Sequence, residues 1–437
     1  MSHRIAVVYH SRRGTVRALA ALAAEGARET GAEVRLLSVP DDGPADRGRP
    51  HRTAGPEDVL WADGLVLACP TYYGNVSSPF KRFLESTSPL WRQGLLADRV
   101  ATGITVSTQR HGGREATLTA LHHTLYHWGC WVAGADPADP VTRAVGGTAY
   151  GLAADSSQGE PAPSERVAAR ALGHRLAALT ARTRAASAAS LTGDAARAAG
   201  GATADGSPLA AGPRPARLAV VHHGEDAALR VLAQEAAAAG RAVGARVRLR
   251  RVPGGAGARP AKWLGPWAAP AAPEDIVWAD AVLFGAPVRL GALAAPLLDF
   301  VQAMEPAGDR RSPLWGKPAS GFATAPAPHA GTETALLDLG HVLLHAGAVL
   351  VPPGYTDPAV EAAGGNPYGT CHPRTAGDLP TPRLLAAVAH QARRTARAGD
   401  LLRRVPRPHR AARQDAVRTG PAGPVPLAPP TPGRSTA

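Results

Sequence analysis

Hydrophobic positions along the chain fall into two alternating patterns. Ile5 to Tyr9 is an unbroken apolar run of strand length, rich in β-branched residues, as for a parallel strand buried on both faces. Ser11-Arg12-Arg13-Gly14-Thr15 interrupts it, after which Val16, Leu19, Ala20, Ala23 and Ala27 recur on one helical face. Residues 33–39 alternate as a strand, 40–56 form a polar loop, and 57–63 read as a short helix. Residues 64–68 are a buried strand and 79–87 a helix with Phe80, Phe83 and Leu84 on its apolar side. A fourth strand covers 100–106, a helix 114–128 and a fifth strand 131–134. A long last helix covers 164–183, with Ser164 as its N-cap. This alternation predicts an α/β three-layer unit with a five-stranded parallel sheet, whose ligand lies outside the carboxyl ends of the strands.

The pattern then starts again. Residues 184–215 are Ala, Gly, Ser, Thr and Pro with few large apolar side chains, which predicts a flexible linker. Leu218-Ala219-Val220-Val221 opens a second set of elements. Trp278-Ala279-Asp280 repeats Trp61-Ala62-Asp63, and Pro287 repeats Pro70, at an offset of 217. His329, His345 and Tyr368-Gly369 repeat His111, His127 and Tyr150-Gly151 at 218. Ser88-Pro89-Leu90-Trp91 returns as Ser312-Pro313-Leu314-Trp315 at 224, so a short insertion near 306–311 is expected. A near-constant offset over so long a stretch is a duplication of a whole domain. The organisation expected is residues 1–183 and 216–400 as two domains, with a disordered basic Pro/Arg-rich tail over 401–437.

Charge and composition add three limits. The 437 residues carry a formal charge of +13, and the stretch after Leu401 holds seven arginines against Asp415 alone. Such a tail can touch nucleic acid or anionic membranes, but a solvated tail is the simpler reading, and no nucleic-acid partner is expected. Cys69, Cys130 and Cys371 show no metal-ligand spacing and fit a reducing cytosol, so no metal is expected. The start of the chain lacks a hydrophobic signal, and no 18-residue apolar run occurs. A cytoplasmic protein without membrane insertion is expected.

Polar residues gather at three strand ends. Ser11, Arg12, Arg13, Gly14, Thr15 and Val16 combine hydroxyls, a glycine and the free N–H groups of a helix start, a phosphate-binding combination. Pro70, Thr71, Tyr72, Tyr73, Gly74 and Asn75 end the third strand. Ser107, Thr108, Gln109, Arg110, His111, Gly112 and Gly113 end the fourth. With the later phrases LYHWG and GGTAYG, these turns occur in an order that resembles the WrbA-type NAD(P)H:quinone oxidoreductases, flavodoxin-like enzymes that bind FMN. The resemblance covers nearly all of residues 4–183.

It implies that residues 11–16 take the FMN phosphate, that 70–75 frame the isoalloxazine, and that 107–113 close its other side. It implies that His127 lies near the flavin and that Trp91 walls a substrate pocket. It further implies NADH or NADPH as donor, a quinone as acceptor, and two-electron ping-pong transfer. The family forms homo-oligomers, so the two copies are expected to pack as a pseudo-dimer in which Arg289 and Trp315 serve the first copy's flavin, with further self-association. Two departures stand at the pocket mouth: the family usually has Tyr at Arg13 and Arg at Tyr72. In the second copy Glu225 and Asp226 replace the phosphate-loop hydroxyls, and Pro326 and Pro328 remove N–H donors from the third turn. One FMN per chain is therefore expected. The alternatives are a flavin-carrying electron shuttle or redox sensor without quinone turnover, and a scaffold that binds no flavin.

Overall fold

β1 (Arg4–Tyr9) is buried at every position after Arg4 and lies between β2 (Glu33–Ser38) and β3 (Gly64–Tyr72), parallel to both. The computed structural model describes residues 2–41, 52–198, 214–224, 226–254, 268–305, 311–374 and 379–403, with only the backbone of 185–198. Connections are α1 (Thr15–Arg28) and α2 (Pro56–Trp61). After β3, β4 (Asn75–Val76) folds back as a hairpin, and α3 (Ser78–Ser86) and α4 (Ser88–Arg92) lead to β5 (Val100–Ser107). α5 (Arg114–Trp128) then runs back along the sheet. The fifth strand position is shared by β6 (Trp131–Ala133), paired with Val100 and Ala101, and β7 (Leu152–Asp155), paired with Ile104 to Ser107. Between them lies α6 (Pro140–Ala144), and α7 (Pro163–Ala198) closes the copy.

The second copy repeats this order. β8 (Arg217–His223), α8 (Ala227–Ala242), β9 (Arg246–Val252), β10 (Ala269–Pro270), α9 (Pro273–Trp278) and β11 (Ala281–Arg289) come first. β12 (Ala292–Leu293), α10 (Ala295–Gln302), β13 (Pro318–Ala325) and α11 (Thr334–His345) follow. β14 (Val349–Leu350), α12 (Pro358–Ala362), β15 (Thr370–Pro373) and α13 (Pro382–Arg403) complete it. Both copies have the flavodoxin-like strand order 2-1-3-4-5, with two-residue β10 added outside β9.

The two sheets join. β14 pairs antiparallel with β6, Val349 opposite Ala133 and Leu350 opposite Val132, so one sheet runs through both copies. An apolar cluster crosses under the seam, with Leu121, Leu125 and Tyr126 of α5 and Leu339, Leu343 and Leu344 of α11. Residues Met1–Arg404 accordingly form one compact unit. The antiparallel seam points the strands of one copy against those of the other. The carboxyl ends of the first copy's strands thus lie at the same end as the amino ends of the second copy's.

Three boundary expectations change. The linker does not begin at 184, because α7 continues to Ala198 through Ala- and Arg-rich sequence of high helix propensity. Residues 199–213 lie outside the described residues. Ser164 is not the cap of α7, which starts with Pro163. Instead the Glu165 carboxylate accepts the N–H groups of Ala162 (2.9 Å) and Asp155 (2.6 Å). Residues 401–403 belong to α13, where Leu402 is buried, and the tail from 404 lies outside the described residues.

Candidate active site

Gly14 caps α1 with φ of 91°, a left-handed conformation that disfavours any Cβ. Its N–H donates to Ser11 Oγ at 3.1 Å. Thr15 and Val16 begin the helix, so their N–H groups have no acceptor within it. Thr15 is buried and its hydroxyl donates to the Gly159 carbonyl, in the loop after β7. Arg12 and Arg13 are exposed, and Arg12 Nε lies 3.4 Å from Asp41.

The second turn is a two-residue hairpin. Tyr72 pairs with Asn75, and the two central residues, Tyr73 (φ 52°) and Gly74 (φ 75°), are both left-handed. Tyr73 is fully exposed at the tip, a strained backbone carrying an unburied aromatic ring. In the third turn Ser107 Oγ accepts the Gln109 N–H at 3.1 Å, and Thr108 to His111 are exposed. Gly113 has φ of 85°, and a Cβ there would stand 2.7 Å from Gly74 Cα. Thr71 Oγ1 also donates to the Gly113 carbonyl at 3.3 Å and bonds the Thr117 hydroxyl. The first turn is tied in by His10. Its ring is buried, with Nδ1 2.8 Å from Ser77 Oγ and Nε2 2.9 Å from Asp41 Oδ2.

The three turns therefore converge outside the ends of β1, β3 and β5. Amides, hydroxyls and arginines line the cradle, and Asp41 beside it is engaged by His10 and Arg12. This donor set suits a phosphate dianion, and the close Gly113–Gly74 approach leaves backbone open to a flat ring. A cleft of about 910 Å³ opens beside the third turn, lined by Arg110, His111 and Arg114 together with Asp155 and Glu165.

The second copy's first turn is filled by its own side chain. Asp226 caps α8 by accepting the Ala228 N–H at 2.9 Å, accepts Thr324 Oγ1 at 2.8 Å, and pairs with Arg374 at 3.2 Å. Glu225 lies outside the described residues. A carboxylate already holds the donors that a phosphate would need.

His127 and Trp91 do not join the first copy's cradle. α5 starts at the third turn, and the 13 helical steps from Arg114 to His127 span about 20 Å. Trp91 Nε1 donates to the His127 carbonyl at 2.9 Å, and the His127 ring faces second-copy residues. His127 Nε2 is 3.3 Å from the Tyr368 hydroxyl, and the Tyr355 ring is 5.5 Å from both the Trp91 and the His127 ring. Burial lowers the His127 pKa, opposed by Glu333 at the start of α11. The counterpart lies on the other side of the pseudo-twofold axis. His345 Nε2 is 3.1 Å from the Tyr150 hydroxyl, and the Tyr150 ring packs 5.3 Å from both His341 and His345. Burial raises the Tyr150 pKa, reinforced by Glu115, two residues beyond Gly113. Each copy's Trp–His pair sits at the amino ends of its own strands, and the antiparallel seam turns it toward the partner copy's carboxyl ends.

Trp315 stands on the first copy's side of the seam. Its Nε1 donates to Asp136 Oδ1 at 2.9 Å, and Arg311 covers its ring at 3.9 Å while pairing with the same aspartate. Arg289 is exposed at the end of β11, with the second copy's own strand ends, and the opposed strand directions remove it from the first copy's cradle. Tyr150, Tyr368 and Tyr355, with His341, were not singled out by sequence reasoning. The repeated Tyr-Gly phrase marks the first two; only the seam shows what they face. Among the described residues no group of three or more His, Cys, Asp or Glu side chains could hold a metal ion, and no helix is long and apolar enough to cross a membrane.

A flavodoxin-like sheet with an anion cradle at its strand ends defines the class, a flavin-nucleotide fold. The chain belongs to the family described as NADPH-dependent FMN reductase, which matches it twice, over residues 3–139 and 224–358. It is a tandem member of the WrbA type. It is 34% identical over 194 residues to the NAD(P)H dehydrogenase (quinone) of Acidithiobacillus ferrooxidans, a match covering 40% of this chain and 96% of that protein. It is also 34% identical over 173 residues to the protein of the same name from Deinococcus radiodurans, covering 36% and 85%. A solved flavodoxin, the WrbA-like protein from Agrobacterium tumefaciens, is 24% identical over 41% of this chain and 99% of that one, with a TM-score of 0.33.

Proposed function

We propose that the chain is an FMN-dependent oxidoreductase that passes hydride from NAD(P)H to a quinone by two-electron ping-pong transfer, with one FMN per chain. Residues 1–183 form the FMN-binding unit, and 216–400 serve as its built-in partner. The reading is supported by the name that the relatives share and by the family's own description. The observation that carries it is the contrast between two equivalent turns. Ser11, Gly14 and Thr15 leave helix-start donors for a phosphate, whereas Asp226 has taken them in the second copy.

Bound FMN supplies the hydride chemistry; the chain binds and orients. Ser11, Gly14, Thr15 and Val16 hold the phosphate, with Arg12 and Arg13 adding positive charge. Pro70 to Asn75 meet one edge of the ring, where backbone N–H groups favour the charge that grows on reduction. Ser107 to Gly113 close the other side. His345 and His341 face the cradle from across the seam, the first copy's own Tyr150 meets them there, and Trp315 stands at the same end. Tyr150 holds the His345 ring by its hydroxyl, which fixes the imidazole orientation toward an incoming quinone.

The test begins with the spectrum of the purified chain. A flavin band, bleaching by NADPH and recovery on adding a quinone are expected. Heat-released flavin should equal one per chain. A colourless protein that takes up no FMN would refute the assignment, and two flavins per chain would refute the role given to Asp226.

A further inference from the structure

A second cleft, of about 440 Å³, lies at the amino ends of the first copy's strands, the end of the sheet opposite the candidate cradle. It is bounded by the starts of β1, β3 and β6, by Thr183 and Arg184 in the middle of α7 and by α13 of the second copy. Five arginines, Arg4, Arg99, Arg184, Arg394 and Arg397, line it against two aspartates, Asp63 and Asp98, for a formal charge of +3.

The arginines are not equally engaged. Arg99 caps α2, donating to the carbonyls of Val59, Leu60 and Ala62 at 2.9–3.1 Å. Arg184 lies 3.5 Å from Asp63. Arg394 is buried, with Nη1 on Asp98 at 3.0 Å and Nη2 on the Gly129 carbonyl at 2.8 Å, yet its Nε has no partner. Arg397, one turn further along α13, is exposed and has no ion pair among the described residues. Burial holds the Arg394 guanidinium below the usual arginine range, opposed by Asp98, and repulsion from Arg397 adds a smaller push in the same direction as burial. A buried donor without an acceptor costs stability. Two like charges on one helix turn add to that cost. An anion in the cleft relieves both, and guanidinium forks bind phosphate oxygens two at a time.

We infer that this cleft binds a diphosphate group, either as free pyrophosphate or as carried by a nucleotide, at a site separate from the cradle for FMN. A diphosphate of about three negative charges matches the cleft's +3. Because α13 comes from the second copy, the bound anion would also clamp the two copies together.

The test is calorimetric titration of FMN-saturated full chain with pyrophosphate and, separately, with ADP. One saturable site is expected, weakened at least tenfold in Arg184→Ala/Arg397→Ala, whose side chains are exposed and whose loss leaves the fold intact. Arg383→Ala, an exposed arginine at the start of α13, should bind as the parent does. Ser11→Asp, which disables the cradle, should also retain the site. Equal affinities would make the free diphosphate the unit recognised; a tighter ADP would assign the site to a nucleotide. No saturable binding, or equal losses in Arg383→Ala and the double variant, would overturn the proposal.

Discussion

Ser11→Asp separates charge from shape at the cradle. Ser11 Oγ accepts the Gly14 N–H at 3.1 Å, and an aspartate oxygen can take the same bond, so the turn keeps its fold. A phosphate seated on the amides of Thr15 and Val16 would lie about 5 Å from that carboxylate. At an effective dielectric near 20, each pair of unit charges at that distance costs about 3 kcal/mol. A phosphate monoester carries between one and two charges, so the gross cost is about 5 kcal/mol. With side-chain rotation and water screening removing half, about 3 kcal/mol remains, more than a hundredfold in affinity. Ser11→Asn has nearly the same shape without the charge and should stay within a few-fold of the parent. The assay is quenching of FMN fluorescence on titration with apoprotein, with flavin content per purified chain as a second readout. If the aspartate and asparagine variants bind FMN within threefold of each other, the phosphate does not sit at this turn.

His345→Gln should lower kcat/KM for a quinone at least tenfold with FMN content unchanged, while His127→Gln should alter it less than threefold; the reverse order would assign each histidine to its own copy's pocket. Gly113→Ala should weaken FMN binding at least tenfold by pushing a Cβ to 2.7 Å from Gly74 Cα, and an unaltered titration would show that the two turns can part without loss. His122 is buried, and burial pushes its pKa down to about 3 against a smaller opposing effect of the Tyr150 backbone, so the folded chain keeps it neutral while the unfolded chain protonates it below about 6.5. Its contribution is complete above that pH and is lost as pH falls toward 3, by roughly 2 kcal/mol at pH 5. Denaturant titrations of His122→Leu should show a smaller stability loss between pH 7 and 5 than the parent, and equal losses would refute this.

Much of this architecture was legible in the chain. The apolar run ending at Tyr9 and the helical spacing from Val16 to Ala27 sufficed for β1 and α1, because a strand buried on both faces and an amphipathic helix have distinct periods. The duplication was legible because the Trp-Ala-Asp and Tyr-Gly phrases sit at nearly fixed offsets. Asp226 was legible as an obstacle to phosphate, though its bonds to Ala228, Thr324 and Arg374 were not. What could not be read was the seam. β14 is only two residues long, and its antiparallel partnership with β6 depends on tertiary packing of α5 against α11. Without it, the sequence cannot show that His127 and Arg289 lie at the end of the sheet away from the first copy's cradle. The extension of α7 into 184–198 was masked by small residues whose helix propensity competes with their resemblance to a linker.

The seam also accounts for why a degenerate second copy persists. In an antiparallel pair, a cradle at one copy's strand ends is flanked by the other copy's strand starts, where that copy's Trp and His elements lie. On the proposed reading a single copy then has a place for FMN but lacks His345 and Trp315, and its Tyr150 has no imidazole to hold. Fusion keeps the partner surface always present. It also frees the partner's own cradle from the need to bind, since two binding sites are no longer demanded of identical chains. Asp226 is what such freedom permits. Its carboxylate accepts the Ala228 N–H at the helix start and binds Thr324 and Arg374, so on the proposed reading the second copy would fold complete without cofactor. The first copy's Thr15, by contrast, rests its hydroxyl on the Gly159 carbonyl, a contact the arriving phosphate can replace. On the proposed reading the two copies divide one site between them, the first keeping the cofactor's donors and the second the groups that look onto them.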